Sequence, residues 1–235
     1  MYGWGSVTAD LNAEGTVDGR GFSTGTAGTL AVQGSVFFGA DSLTRMRAGL
    51  SSDRIDVTGD LALDGTLQVS LAPGTGFGRY RLLSATGAIT GTIDLTGIPV
   101  GTTAKLSTSV AGGVDLVIDD NDEDGLPDSW EIANFGNLTQ TPNGDKDGDG
   151  SSNLVEYRLN LNPSSGASSF RATCSGHVIT WPSAPGVVFI VKRSVSLGGG
   201  SWQTLATVTG GAGTVSSYTD PASLTKAFYR VEFNP

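Results

Sequence analysis

DRIDVTGDLALDGTLQVSLAPG, residues Asp53–Gly74, decides the fold of the N-terminal half. Ile55 and Val57 alternate with polar residues, then Leu61 and Leu63, then Leu67, Val69 and Leu71. A period of two places one set of side chains on one face, which predicts strands with one buried side. Thr58-Gly59-Asp60 and Asp64-Gly65 interrupt the runs with residues that tolerate positive φ. Working outward, GTLAVQGSVFF at Gly28–Phe38 shares the Gly-Thr-Leu phrase and gives a faint repeat. Further strands are expected at Arg79–Ser84, Ile89–Leu95 and Val114–Ile118, with no helical period anywhere in residues 1–118. Short strands recurring every ~8–12 residues predict an all-β sandwich, barrel or solenoid.

DRIDVTGDLALDGTLQVSL, GRYRLLSATGAITGTI and LSTSVAGGVDLVI resemble the passenger-type, autotransporter-associated β-strand repeat proteins of bacterial surfaces. The resemblance covers roughly residues 28–118. It implies a right-handed parallel β-helix, or a solenoid-like β stack, on a secreted protein. The calcium-binding nonapeptide G-G-x-G-x-D of other β-helices is absent.

The next segment, 119–163, has a different texture. DNDEDGLPDSWE (Asp120–Glu131) and DKDGDGSSNLVE (Asp145–Glu156) both satisfy D-x-[DN]-x-[DN]-G-x5-E. Crowded carboxylates repel one another unless a cation sits among them. Asp120, Asp122 and Asp124, and likewise Asp145, Asp147 and Asp149, stand where a hard cation takes its first three ligands. Gly125 and Gly150 permit the sharp turn. Leu126 and Ser151 offer backbone carbonyls, Asp128 and Asn153 stand at the position that often coordinates through a water, and Glu131 and Glu156 close the shell with two oxygens. The pattern predicts two Ca2+ sites. Magnesium uses fewer protein ligands, and zinc lacks its Cys and His. The loops resemble dockerin modules and thrombospondin type 3 repeats more than paired EF-hands. VDLVID precedes the first loop where an EF-hand has a helix, and Pro127 removes the N–H that bridges paired loops.

Each loop is expected to feed a helix of about two turns. Pro127 suits the first turn of one, Trp130, Ala133 and Asn134 share its face, and Gly136 stops it. The second begins near Ser152, with Leu154, Tyr157 and Leu161 on one stripe before Pro163. Helices this short need metal and the packing of Trp130, Phe135, Leu154 and Tyr157 to hold them. Strands return at His177–Trp181, Val187–Arg193, Trp202–Val208, Ser216–Thr219 and Lys226–Phe233, separated by loops such as Gly198–Gly200. VITW, VVFIVKRS, SWQTLATVT, YTDP and AFYRVEF resemble a fibronectin-III-like sandwich, which implies that Trp181 and Tyr229 are core residues. The expected organisation is a mainly β chain: a solenoid over 1–118, a paired calcium-loop module over 119–163 and a β-sandwich over 164–235.

Charge narrows the function. The formal net charge is −9, yet residues 119–156 hold 11 of the 23 acidic side chains and one basic one, Lys146. Acidity this local argues for cation sites and against a nucleic-acid partner. Cys174 is the one cysteine and reads as a small buried hydrophobe, and His177, the one histidine, has no second ligand beside it. No G-x-S-x-G, metalloprotease or phosphate-loop motif occurs, so no catalytic residue is assigned. Asp53, Asp56, Asp60 and Asp64 read as turn residues sooner than as a hydrolytic carboxylate pair. No apolar run is long enough to span a membrane, and MYGWGSVTADL does not read as a signal peptide. The expected protein is extracellular or on the cell surface. It is a non-enzymatic structural or adhesion protein whose partners are other copies of itself, surface proteins or glycans. The alternative is a glycan-binding module, with Trp4, Trp202 or Tyr218 as stacking aromatics.

Overall fold

In the computed structural model, which describes residues 5–18, 27–197, 202–222 and 224–235, the period-two segments wind into four successive coils of three strands. The first coil is β1 (Gly5–Val7), β2 (Leu11–Ala13) and β3 (Thr16–Asp18), and the second is β4 (Thr29–Val32), β5 (Val36–Phe38) and β6 (Leu43–Ala48). The third is β7 (Arg54–Val57), β8 (Leu61–Leu63) and β9 (Thr66–Leu71), and the fourth is β10 (Gly78–Ala85), β11 (Ile89–Gly91) and β12 (Asp94–Thr96). Equivalent strands of successive coils pair in parallel, β1-β4-β7-β10, β2-β5-β8-β11 and β3-β6-β9-β12. Of the sandwich, barrel or solenoid that the alternation predicts, this is the β-solenoid, as the resemblance implies.

Register stacks like upon like. Leu30 pairs with Ile55, 25 residues on, and Ile55 with Leu83. Val32 and Val57 follow, then Val36 on Leu61 and Met46 on Val69, all buried in one core. A one-residue slip would turn every one of these side chains to solvent, so the pattern specifies the register. The Gly-Thr-Leu phrases do not mark the repeat. Leu30 lies on β4 and Leu67 on β9, in different sheets. The expected strand Ile89–Leu95 is also two strands, β11 and β12, because the chain turns at Gly91, where φ is 77°.

One corner shows why glycine recurs. Gly59 donates to the Gly34 carbonyl (2.8 Å) and Gly87 to that of Gly59 (3.0 Å). A Cβ on Gly59 would lie 2.7 Å from the Gly34 oxygen, and one on Gly87 would lie 2.7 Å from the Gly59 oxygen. Gly59 is thus required by close backbone approach rather than by positive φ, whereas Gly65 does take φ 70°. Beside this column Asp10 accepts from the Ser35 N–H (2.7 Å) and Asp60 from that of Ala88 (2.8 Å).

A hairpin ends the six-stranded sheet. β13 (Ala104–Ser107) pairs antiparallel with β14 (Gly113–Ile118), which pairs antiparallel with β10. All six residues of β14 are buried, including Asp115, which Arg79 (3.1 Å) and Arg81 neutralise.

The chain divides into two compact units, Met1–Asp128 and Ser129–Pro235. Two short helices follow the solenoid, α1 (Asp128–Phe135) and α2 (Asn153–Leu159). Two three-stranded antiparallel sheets complete the second unit. One has the order β15 (Thr173–Ser175), β16 (Val178–Pro182), β19 (Val215–Thr219). The other has β18 (Gln203–Thr209), β17 (Val188–Ser194), β20 (Phe228–Asn234). Ile179 and Trp181 of the first sheet share one core with Phe189 and Val191 of the second, and Tyr229 packs against it. Trp181 and Tyr229 are therefore core residues, as expected. Asp220 lies at the edge of that core. It accepts two bonds from Arg193 (2.9 and 2.8 Å), one from the Tyr229 hydroxyl (2.9 Å) and one from the Ala222 N–H (3.0 Å). Burial pushes its carboxyl up, but these donors hold it below the ordinary carboxylate value.

Candidate metal centre

The two acidic segments fold into loops of the same local design. At the sixth position Gly125 has φ 94° and Gly150 has φ 97°, left-handed turns that no β-carbon obstructs. The Gly125 N–H donates to Asp120 (3.4 Å) and that of Gly150 to Asp145 (2.8 Å). The Leu126 N–H donates to Asp124 (2.8 Å) and that of Ser151 to Asp149 (2.7 Å). The ninth residue donates backward in both, Asp128 to the Asp119 carbonyl (2.8 Å) and Asn153 to that of Gly144 (2.7 Å). Each first acid thereby curls the backbone around itself, which turns several oxygens inward.

Carboxylate oxygens of Asp120, Asp122 and Asp124 lie within 4.8 Å of one another, as do those of Asp145, Asp147 and Asp149. Asp122 and Asp128 also approach within 4.8 Å. Glu131 sits on α1, one turn after Asp128 and fully buried. On α2, Asn153 and Glu156 have no exposed surface. Asn153 spends its Nδ2 on the Thr141 carbonyl (2.8 Å), which leaves Oδ1 facing no donor. Both carboxylate oxygens of Glu156 are buried without a hydrogen bond, and so is one oxygen each of Asp124, Asp128, Asp147 and Asp149.

Buried oxygens without donors are costly in a folded protein, because the interior must supply what water did. Here burial, joined by the charges of Asp147, Asp149 and Asp145, pushes the Glu156 carboxyl up to about 7. Burial and neighbouring aspartates likewise raise Asp120 and Asp124. Asp145 is the contrast, lowered by the N–H groups of Gly150, Gly148 and Asp149. A hard, oxygen-seeking divalent cation would satisfy these oxygens together, so the residues present fit Ca2+.

Glu123 has no place in the ligand pattern, yet it anchors the first loop. At φ 61° its side chain turns out of the acidic cluster to Lys105 (2.8 Å), Ser107 (2.9 Å), Ser109 and Arg79. Hydrogen bonds, from Lys105 first, hold its carboxyl far below the carboxylate range. Loop spacing carries no signal for this, because the partners lie 14–44 residues away.

The helices differ from expectation in detail. α1 ends at Gly136 (φ 75°) as predicted, but Ala133 on the Trp130 face is exposed. α2 starts at Asn153, with Ser152 as its cap, and stops at Asn160 in the left-handed region. Its deepest apolar residue is Leu159, absent from the expected stripe, while Leu161 lies beyond the helix. Trp130 packs edge-on against Phe135 (5.2 Å) and Tyr157 (5.5 Å), all three half-buried.

Other candidates resolve into structure. Asp53 is buried and accepts from the Gly28 (3.0 Å) and Arg47 (2.7 Å) N–H groups. Asp56 binds Arg54 (2.8 Å) and Ser84 (2.6 Å), and Asp64 binds the Gly65 N–H (2.8 Å). Trp202 lies under the Arg230 guanidinium (4.8 Å), and Tyr218 packs on the sandwich core. Trp4 lies outside the described residues. Cys174 is exposed on β15 rather than buried as expected, its Sγ 3.4 Å from the Gly176 carbonyl. Among the described residues no helix is long and apolar enough to cross a membrane.

No family model and no solved structure matches the chain. Among curated proteins it is similar to the adhesin BmaC autotransporter of Brucella suis biovar 1 (strain 1330), with 39% identity over 101 residues. The match covers 39% of this chain and 3% of that adhesin.

Proposed function

We propose that this chain is part of a cell-surface, non-enzymatic adhesion or structural protein whose 119–163 segment is kept folded by two calcium ions. The adhesion reading rests on one observation, a parallel β-solenoid in a chain that is 39% identical over 101 residues to an autotransporter adhesin. A stack of short parallel strands is a rigid rod-like scaffold that presents faces without needing a catalytic cleft. The calcium reading rests on the paired loops and on Glu156, a fully buried carboxylate with no hydrogen-bond partner. Asp120, Asp122, Asp124, the Leu126 carbonyl, Asp128 and Glu131 form one ligand set. Asp145, Asp147, Asp149, the Ser151 carbonyl, Asn153 and Glu156 form the other. Millimolar extracellular calcium keeps even modest sites filled.

Two measurements on the purified chain test this. Calcium titration calorimetry is expected to show two sites, and absence of binding at millimolar calcium removes the metal half. Saturable binding to cell-surface or matrix-coated wells is expected in calcium buffer, and none would remove the adhesion half. Binding that soluble polysaccharide competes away would instead favour the glycan alternative.

A further inference from the structure

We infer that the second calcium loop is a latch on the core of the C-terminal sheets, so that calcium there governs the folding of residues 168–235. This inference rests on the calcium reading and adds what the ion controls.

Two connections carry it, both inside the second unit. The first is α2 itself. Glu156, the closing ligand, is followed one turn later by Leu159, which is buried in the same core as Ile179, Trp181 and Phe189. Val155 and Leu161 pack against that core from either side of Glu156. The second is Ser151. Its backbone carbonyl is the seventh-position ligand, while its hydroxyl accepts the Phe170 N–H (2.9 Å). Phe170 in turn stacks on Phe189, with centroids 5.9 Å apart and planes 28° apart.

Without the ion, the clustered carboxylates of Asp145, Asp147 and Asp149 repel one another, and the buried Glu156 oxygens have no donor. Opening the loop relieves both, but it displaces Ser151 and the start of α2. A seven-residue helix does not persist alone in water. Its loss withdraws Leu159, Val155 and the Phe170 anchor from the sandwich. Folded sheets and bound calcium thus each require the other, which is reciprocal coupling.

The test is amide hydrogen exchange across β16, β17 and β20 in the full chain, beside calorimetry with Ca2+ alone. With calcium ~100-fold above its dissociation constant, exchange there is expected to be about 100-fold slower than in EGTA. Asp149→Ala should lose one of the two calorimetric sites together with this protection. Asp124→Ala should lose a site and keep it. Ser151→Ala keeps the carbonyl ligand and should weaken one site roughly three- to tenfold, the value of one hydrogen bond. If calcium binds with two sites but exchange in these strands does not change, the latch is wrong and the calcium reading stands. If Asp124→Ala instead of Asp149→Ala removes protection, the latch is assigned to the wrong loop. If no calcium binds, the calcium reading fails, and the latch with it.

Discussion

Asp53 and Gly59 show what single positions do in the solenoid. Asp53 supplies the acceptor that two backbone donors lack at a coil corner, the N–H groups of Gly28 and Arg47, with no exposure of its own. Asp53→Ala orphans both donors, and urea unfolding is expected to show a loss of about 3 kcal/mol. Gly59→Ala forces a β-carbon to within 2.7 Å of the Gly34 oxygen, in a column where backbone cannot yield. A loss of about 2–3 kcal/mol is expected in the same assay. Gly15→Ala, where nothing lies within 4 Å, should be neutral or slightly stabilising. Sequence marked Gly59 as a break but could not say that a neighbouring coil presses on it. That pressure comes from a residue 25 positions away.

The loop–helix elements are the most legible part of the site. Turn glycines and first-position acids take the local geometry that the spacing predicts, and Glu131 and Glu156 are buried on the helices that follow. What spacing could not supply was depth. Only the fold makes Glu156 fully buried and lifts its carboxyl from an ordinary value near 4.5 to about 7. The sign follows. In the calcium-free chain the folded state holds a proton there between pH 4.5 and 7 that the unfolded state has released. That unit therefore gains stability as pH falls from 7 toward 4.5 and loses it as pH rises through 7. The proposed calcium ion must displace this proton, so affinity at the second loop is expected to fall about fivefold from pH 7 to pH 6. Calorimetry at several pH values, with Glu156→Gln as the variant that flattens this slope, checks it.

At the scale of the whole molecule, the solenoid and the C-terminal sheets belong to separate compact units with separate cores. Trypsin digestion of the full chain in EGTA is therefore expected to cut within 119–163 and to degrade the C-terminal sheets. A fragment holding β1–β14 should survive, and millimolar calcium should protect both parts. Equal fragment patterns with and without chelator would contradict this. By itself the sequence determined what is periodic and local: alternating strands, acidic loops with their turn glycines, and short helices with their stops. Those signals live within a few residues of one another, where sterics and charge act directly. Only the tertiary structure decided the 25-residue coil register, the glycine column, the β13–β14 hairpin, the Glu123 anchor and the hold of Ser151 on Phe170. Each of these joins residues distant along the chain, and such contacts exist only once burial has brought them together.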